Sequence, residues 1–256
     1  MIISHKHKYL FVAIPHTGST AISRELCENY AGVPILRKHA DYHEFLEIAN
    51  AEEKTYFVFA GIRNPLDEAV SLYFKYKTTH RETYTNPKRL KKNGGHVTDV
   101  HLRKFNFIKN TNADFPTYFK KFYTLPYNNL ISLSRKEFGF VIRFENLQDD
   151  FSQVLRLLRI EQKRPLPVVN KTTERRRDFL SYYTPEIYEQ ARRVFGPFMR
   201  EWEYDFPPEW GDNAIPWSSQ IQFYVLDPCK RFHWRHLKWG SSFYARAFRR
   251  LWDGSS

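Results

Sequence analysis

The chain has 256 residues, a formal net charge of +12 and an aromatic share of 17%. That length supports one sizeable core. Two distant cysteines, Cys27 and Cys229, argue against a disulfide scaffold and show no metal-ligand spacing, and the ten scattered histidines include no H-x-x-x-H pair in a helical frame with a nearby Glu or Asp ligand set. The basic surplus favours an anionic partner (nucleic acid, acidic membrane, nucleotide or acidic polymer) without choosing among them. No run approaches the ~18 apolar residues of a membrane span. The start "MIISHKHKYLF" lacks the apolar core of a signal peptide, so the expectation is a cytoplasmic protein.

In chain order, "KYLFVAI" (8–14) is a continuous apolar run ended by Pro15, the pattern of a buried parallel strand. "STAISRELCENYAG" predicts a helix ending near Gly32. "VPIL" (33–36) reads as a short strand and "DYHEFLEIA" (41–49) as a helix. "TYFVFAGIR" (55–63) is a second strong strand, and "NPLDEAVSLYFKYK" a helix with Asn64 as N-cap and Pro65 at its first position. Residues 77–112 carry nine Lys or Arg against two acids and read as a long, irregular, basic insertion. "DFPTYFKKFY" (114–123) predicts a helix, "FGFVIRFENL" (138–147) a third strong strand, and "LQDDFSQVLRLLRI" an amphipathic helix. "TPEIYEQARRVFGPFMREW" (184–202) predicts a further helix with Pro185 at its start. Alternating strands and helices imply an α/β domain over residues 1–210, with a parallel sheet covered on both faces. Beyond "FPPEW" the pattern weakens, and 211–256 reads as a basic, aromatic tail.

"AIPHTGST" (13–20) occupies the turn between the first strong strand and the first helix. Against the nucleotide loop G-x-x-x-x-G-K-[ST], Ala13 replaces the first glycine, Ser19 replaces the lysine, and Gly18 and Thr20 fit. Such a turn offers backbone N–H groups and about half a positive charge from the helix dipole. Gly18 permits close backbone approach, and the hydroxyls of Thr17, Ser19 and Thr20 can donate to an anion. Without the lysine that reaches the β- and γ-phosphates, triphosphate hydrolysis is not expected. An ordinary strand–turn–helix remains the alternative at this point.

"RNPLDEAVSLY" (63–73) follows the second strong strand at its carboxyl end, the edge where open parallel sheets bind ligands. Arg63 can fork onto a phosphate, and Ser71, two helical turns further on, can join it on one anion. The competing reading pairs Arg63 with Asp67 at the helix start. Two anion sites, each after a buried strand, suit a ligand with two separated phosphate-like groups.

With "IPHTGST" followed by "IRNPLDEAVSLY", the sequence resembles the sulfotransferases that use 3′-phosphoadenosine 5′-phosphosulfate (PAPS). "VIRFENLQDDFSQVLRLLRI" and "NKTTERRRDFLSYYTPEIYEQARRVF" are similar to later segments of the carbohydrate-type branch. "KHADYHEF" and "KTTERR" are similar to the heparan sulfate 2-O-sulfotransferases in particular. The likeness covers roughly residues 8–206. It implies a P-loop-like three-layer α/β sandwich, a central parallel sheet flanked by helices. It also implies that His16, Thr17, Gly18, Ser19 and Thr20 hold the 5′-phosphosulfate. Arg63 and Ser71 would then hold the 3′-phosphate, with Lys171 and Thr172 added to the cofactor-binding set. Two positions depart from the pattern: His16 stands where the family places lysine, and Glu68 where it places a second arginine. With an ordinary imidazole pKa of about 6.5, His16 would weaken the site as pH rises above neutral.

The implied reaction is in-line sulfuryl transfer to an acceptor hydroxyl, in which positioning and charge stabilisation dominate. No metal is needed, and His16 is the candidate to stabilise the leaving phosphate oxygen. A base must take the hydroxyl proton, and histidine suits neutral pH. His39, beside the end of "VPIL", is the first choice, supported by the resemblance; His43 is the second. The basic insertion favours an anionic carbohydrate or glycolipid acceptor, or is a solvated loop. The tail from Pro228 to Ser256 carries seven Lys or Arg, seven aromatics and one acid. Within it, "FYARAFRRLW" (243–252) fits a helix docked on the domain, an oligomer contact or a peripheral membrane contact. No nucleic-acid motif appears. A small-molecule kinase on the same fold and a polyanion-binding protein with a degenerate nucleotide site stay open as alternatives.

Overall fold

A computed structural model describes residues 1–87, 97, 99–133, 138–167 and 178–232. The chain divides into two compact units, Met1–Asn64 with Asn129–Lys171, and Pro65–Asn128 with Thr172–Ser256.

The first unit is built on a five-stranded sheet: β1 (Ile2–Ser4), β2 (Tyr9–Val12), β3 (Val33–Pro34), β4 (Phe57–Ile62) and β5 (Phe140–Arg143), in the order β3-β1-β2-β4-β5. β2 and β4 pair in parallel with Leu10 opposite Val58, and β4 and β5 with Ala60 opposite Val141. All four residues of β2 are buried, as a strand flanked on both faces requires. Residues Tyr9, Phe11 and Phe59 share a cluster with Ile22 and Leu26 of α1 (Ser19–Asn29) and with Phe151, Val154 and Leu155 of the later helix Leu147–Leu157. α2 (Tyr42–Ile48) opens on a capping box in which Asp41 and Glu44 each accept the other's backbone N–H. Glu25 of α1 is buried, and Arg164 grips both of its carboxylate oxygens, at 3.0 and 3.2 Å from Nε.

The expected parallel sheet is present, with one antiparallel strand added to it. β1 runs antiparallel to both β2 and β3, so one reversed strand lies inside the sheet. The cause is local: only residues 5–8 join β1 to β2, and a link this short can only build a hairpin. Lys8 takes a left-handed φ of 51° to close it.

The second unit is helical around an aromatic core. It contains α3 (Pro65–Lys77), α4 (Asp99–Thr111), α5 (Phe115–Phe122), α8 (Pro185–Glu201) and α9 (Trp217–Phe232); α6 (Leu130–Leu133) and α7 (Leu147–Leu157) belong to the first unit. Phe119 stacks on Tyr123 with centroids 4.7 Å apart, Tyr188 stacks on Trp210 at 4.2 Å, and Tyr73 meets Phe115 edge-on at 5.7 Å. Buried phenols need acceptors. Tyr73 donates to the Ala113 carbonyl at 2.8 Å, Tyr183 to that of Leu66 at 3.0 Å, and Tyr127 to Glu68 at 2.9 Å. Burial pushes the Tyr76, Tyr123 and Tyr183 hydroxyls well above the ordinary phenol range, so they stay neutral.

Two stretches are more ordered than expected. Within the segment 77–112, residues 99–111 form α4, which buries Val100, Phe105 and Ile108. Its basic residues line the rings: Lys104 Nζ lies 5.7 Å from the centroids of both Phe122 and Tyr123. Of the tail, 217–232 forms α9 on the side of α8; the helix expected at 243–252 lies outside the described residues.

Phe119→Ala removes the ring at the centre of these stacks and is expected to cost about 3–5 kcal/mol, read by chemical denaturation. A loss below about 1 kcal/mol would contradict a tightly packed aromatic core.

Candidate functional site

The site begins where β2 stops. Ala13 and Ile14 continue its line and are buried, yet they lie past its last ladder pair. Their carbonyls find side-chain donors instead. Thr17 Oγ1 donates to Ile14 O at 3.0 Å, which curls the chain into a closed turn. His39 Nδ1 lies 2.7 Å from Ala13 O. A carbonyl only accepts, so Nδ1 carries a hydrogen in this contact. In the neutral ring the lone pair then sits on Nε2, the arrangement a proton acceptor needs.

The turn requires unusual backbone. His16 and Gly18 both have left-handed φ, at 65° and 75°. Gly18 is the N-cap of α1, and no side chain caps this end. A Cβ on Gly18 would meet Leu147 Cδ2 at 3.1 Å, so the position is limited in space as well as in φ. Below the turn lies Gly61 of β4, where a Cβ would come within 2.7 Å of Thr17 Oγ1. The turn therefore sits directly on the backbone of β4. α1 carries no acid in its first turn, which leaves the positive end of its dipole uncompensated from within the helix.

Positive side chains converge on the same turn. Arg63 follows β4 and is buried; its Nη1 donates to His16 O at 3.2 Å, and its guanidinium lies 4.2 Å over the Phe144 ring. Lys38 Nζ donates to Thr20 Oγ1 at 2.9 Å. Burial lowers the pKa of this lysine from its ordinary value. The segment carrying Lys38 and His39 is fixed from below, since Arg37 Nη1 donates to His39 O at 2.9 Å and its other terminal nitrogen pairs with Glu44 of the capping box. An acid also borders the turn: Glu145 accepts the Asn64 N–H at 2.7 Å.

Of the residues singled out in the sequence, His16, Thr17, Gly18, Ser19, Thr20, His39 and Arg63 are thus gathered at the carboxyl end of β2 and β4. Thr17 is fully buried and its hydroxyl is engaged by Ile14 O, so towards a ligand it presents backbone. His43 lies in the first turn of α2, half-exposed. Ser71 is buried on α3, in the second unit. Lys171 and Thr172 lie outside the described residues. Glu68, the acid in place of an arginine, accepts the Tyr127 hydroxyl inside the second unit. Lys38, the first residue of "KHADYHEF", joins the site although the sequence assigned it no role. Among the described residues no His, Cys, Asp and Glu group that could hold a metal ion occurs, and no helix is long and apolar enough to cross a membrane.

No curated protein and no solved structure matches the chain significantly. A family model does, that of the sulfotransferase family, over residues 1–201. This span includes the whole sheet, both turns at its carboxyl edge and helices α1 to α8, and the α/β architecture with its mostly parallel sheet agrees with it. The chain belongs to the sulfotransferase family.

Proposed function

We propose that the chain transfers a sulfuryl group from PAPS to a hydroxyl of a carbohydrate or glycolipid acceptor, with His39 as general base. The observation that carries this reading is the 2.7 Å contact of His39 Nδ1 with the carbonyl at the end of β2. It selects the tautomer with basic Nε2 and holds the ring beside the anion-binding turn.

The residues present fit a phosphosulfate. Gly18 opens the backbone, α1 aims its first N–H groups and dipole at the turn, and Lys38 adds an ammonium where the loop itself has none. When bound, the donor supplies an activated sulfuryl group attached to a phosphate. Lys38 and the amides of Ser19 and Thr20 would hold that end, and His16 adds positive charge when protonated. Arg63, and by family resemblance Ser71, would take the 3′-phosphate. His39 Nε2 accepts the proton of the acceptor hydroxyl as its oxygen becomes a nucleophile. The net charge of +12 and the cationic residues of 77–112 favour an anionic acceptor.

Adenosine 3′,5′-bisphosphate is expected to raise the melting temperature more than magnesium-ATP or heparin does. Stabilisation by magnesium-ATP alone would favour a kinase, and by heparin alone a polyanion-binding protein. His39→Ala is expected to lower transfer by about 10²–10⁴-fold while adenosine 3′,5′-bisphosphate affinity, measured by calorimetry, stays unchanged; wild-type turnover would remove His39 as base. Lys38→Ala is expected to weaken the nucleotide about tenfold or more, the size of one charge-assisted hydrogen bond. Equal affinity would exclude Lys38 from the site. Gly61→Ala drives Thr17 off β4, with an expected loss of about 1–3 kcal/mol in stability and weaker nucleotide binding. A melt and affinity identical to wild type would contradict the close approach.

A further inference from the structure

α9 has two opposite faces. Ser219, Phe223 and Asp227 repeat every four residues and are buried. Ser219 donates to the Arg193 carbonyl of α8, Asp227 accepts from Asn128 at 3.3 Å, and Lys230 Nζ donates to Pro126 O at 2.8 Å. This face fastens the helix to the second unit. The other face carries Trp217, Ile221, Tyr224, Val225 and Phe232, exposed to 75%, 52%, 64%, 64% and 56%. At about 100° per residue these five, with Pro228, fall within a stripe about 100° wide, centred opposite the buried one. Isolated exposed apolar residues are ordinary, but a continuous stripe that includes Trp217 and Tyr224 marks an interaction surface.

Charge identifies the partner. The only acid of α9, Asp227, lies on the buried face, where Arg231 pairs with it at 2.9 Å. No carboxylate of the helix is therefore on the exposed side. The residues that follow, 233–256, contain five Lys or Arg, six aromatics and a single acid. An apolar stripe with Trp and Tyr, continued by cationic and aromatic sequence, matches an anionic lipid surface, which offers hydrocarbon beneath a negative headgroup layer. We propose that the exposed face of α9 docks the protein onto an anionic membrane, the helix lying in the plane of the interface. The inference rests on α9 and the adjoining sequence, not on the sulfuryl-transfer reading.

The test is co-sedimentation of the full chain with vesicles of phosphatidylcholine, alone or mixed with phosphatidylglycerol. Wild type is expected to pellet with the mixed vesicles and not with the neutral ones, and to be released by salt. The combined Ile221→Gln, Tyr224→Ser and Val225→Gln variant should bind on the order of tenfold or more weakly, with an unchanged melt. Val225→Glu, which sets a negative charge on the stripe, should bind weakly as well. Wild type left in the supernatant would overturn the proposal, and so would variants that bind as well as wild type. A lowered melting temperature of the variants, or a change of oligomeric state, would also overturn it, because the stripe would then be covered by this chain or by a second copy.

Discussion

A buried carbonyl beyond the end of a strand must be hydrogen-bonded, and the site follows from how this chain meets that demand at Ala13 and Ile14. Thr17 closes on one carbonyl and so shapes the turn. His39 closes on the other and so brings in a segment 26 residues away. Arg63 then caps the carbonyl of His16 from the neighbouring strand. Each contact satisfies backbone, and together they leave helix amides, an ammonium and an imidazole around one small region. The chemistry proposed for the site therefore uses groups whose positions the fold must hold for its own stability.

The second unit obeys a different rule. Its core is built from rings, and the hydroxyls of Tyr73, Tyr127 and Tyr183 each reach an acceptor, whereas that of Tyr118 is buried without a hydrogen-bond partner among the described residues. Glu68 illustrates the exchange: an arginine there would offer charge to a ligand, whereas the acid present receives the Tyr127 hydroxyl. α4 shows that basic composition and burial are compatible, because lysine stems and ammonium groups lie against Phe105, Phe122 and Tyr123 while the apolar positions turn inward.

Much of this was legible in the sequence. β2 and β4 are unbroken apolar runs, and α1, α3, α5, α7 and α8 begin and end within a few residues of their predicted limits, because Pro65, Asp114 and Pro185 announce the starts. The turn at Gly18 and the position of Arg63 follow from strand–turn–helix order alone. β1 was hidden because three residues carry no period, and α4 because its charges masked its apolar spacing. Lys38 and Gly61 could not be read ahead, since their significance is purely spatial: one is a reach of 18 residues to Thr20, the other an approach of two backbones.

The ion pair of Glu25 with Arg164 joins residues 139 apart, and β5 reaches β4 only after the chain has passed through α3, α4 and α5. During synthesis, then, the first unit stays incomplete while the first helices of the second are already emerging. Until residues 140–143 leave the ribosome the open edge of β4 has no partner strand, and until residue 164 does the carboxylate of Glu25 has no guanidinium. A nascent chain stalled in the 120s would expose both, an unpaired strand edge and a carboxylate without its guanidinium.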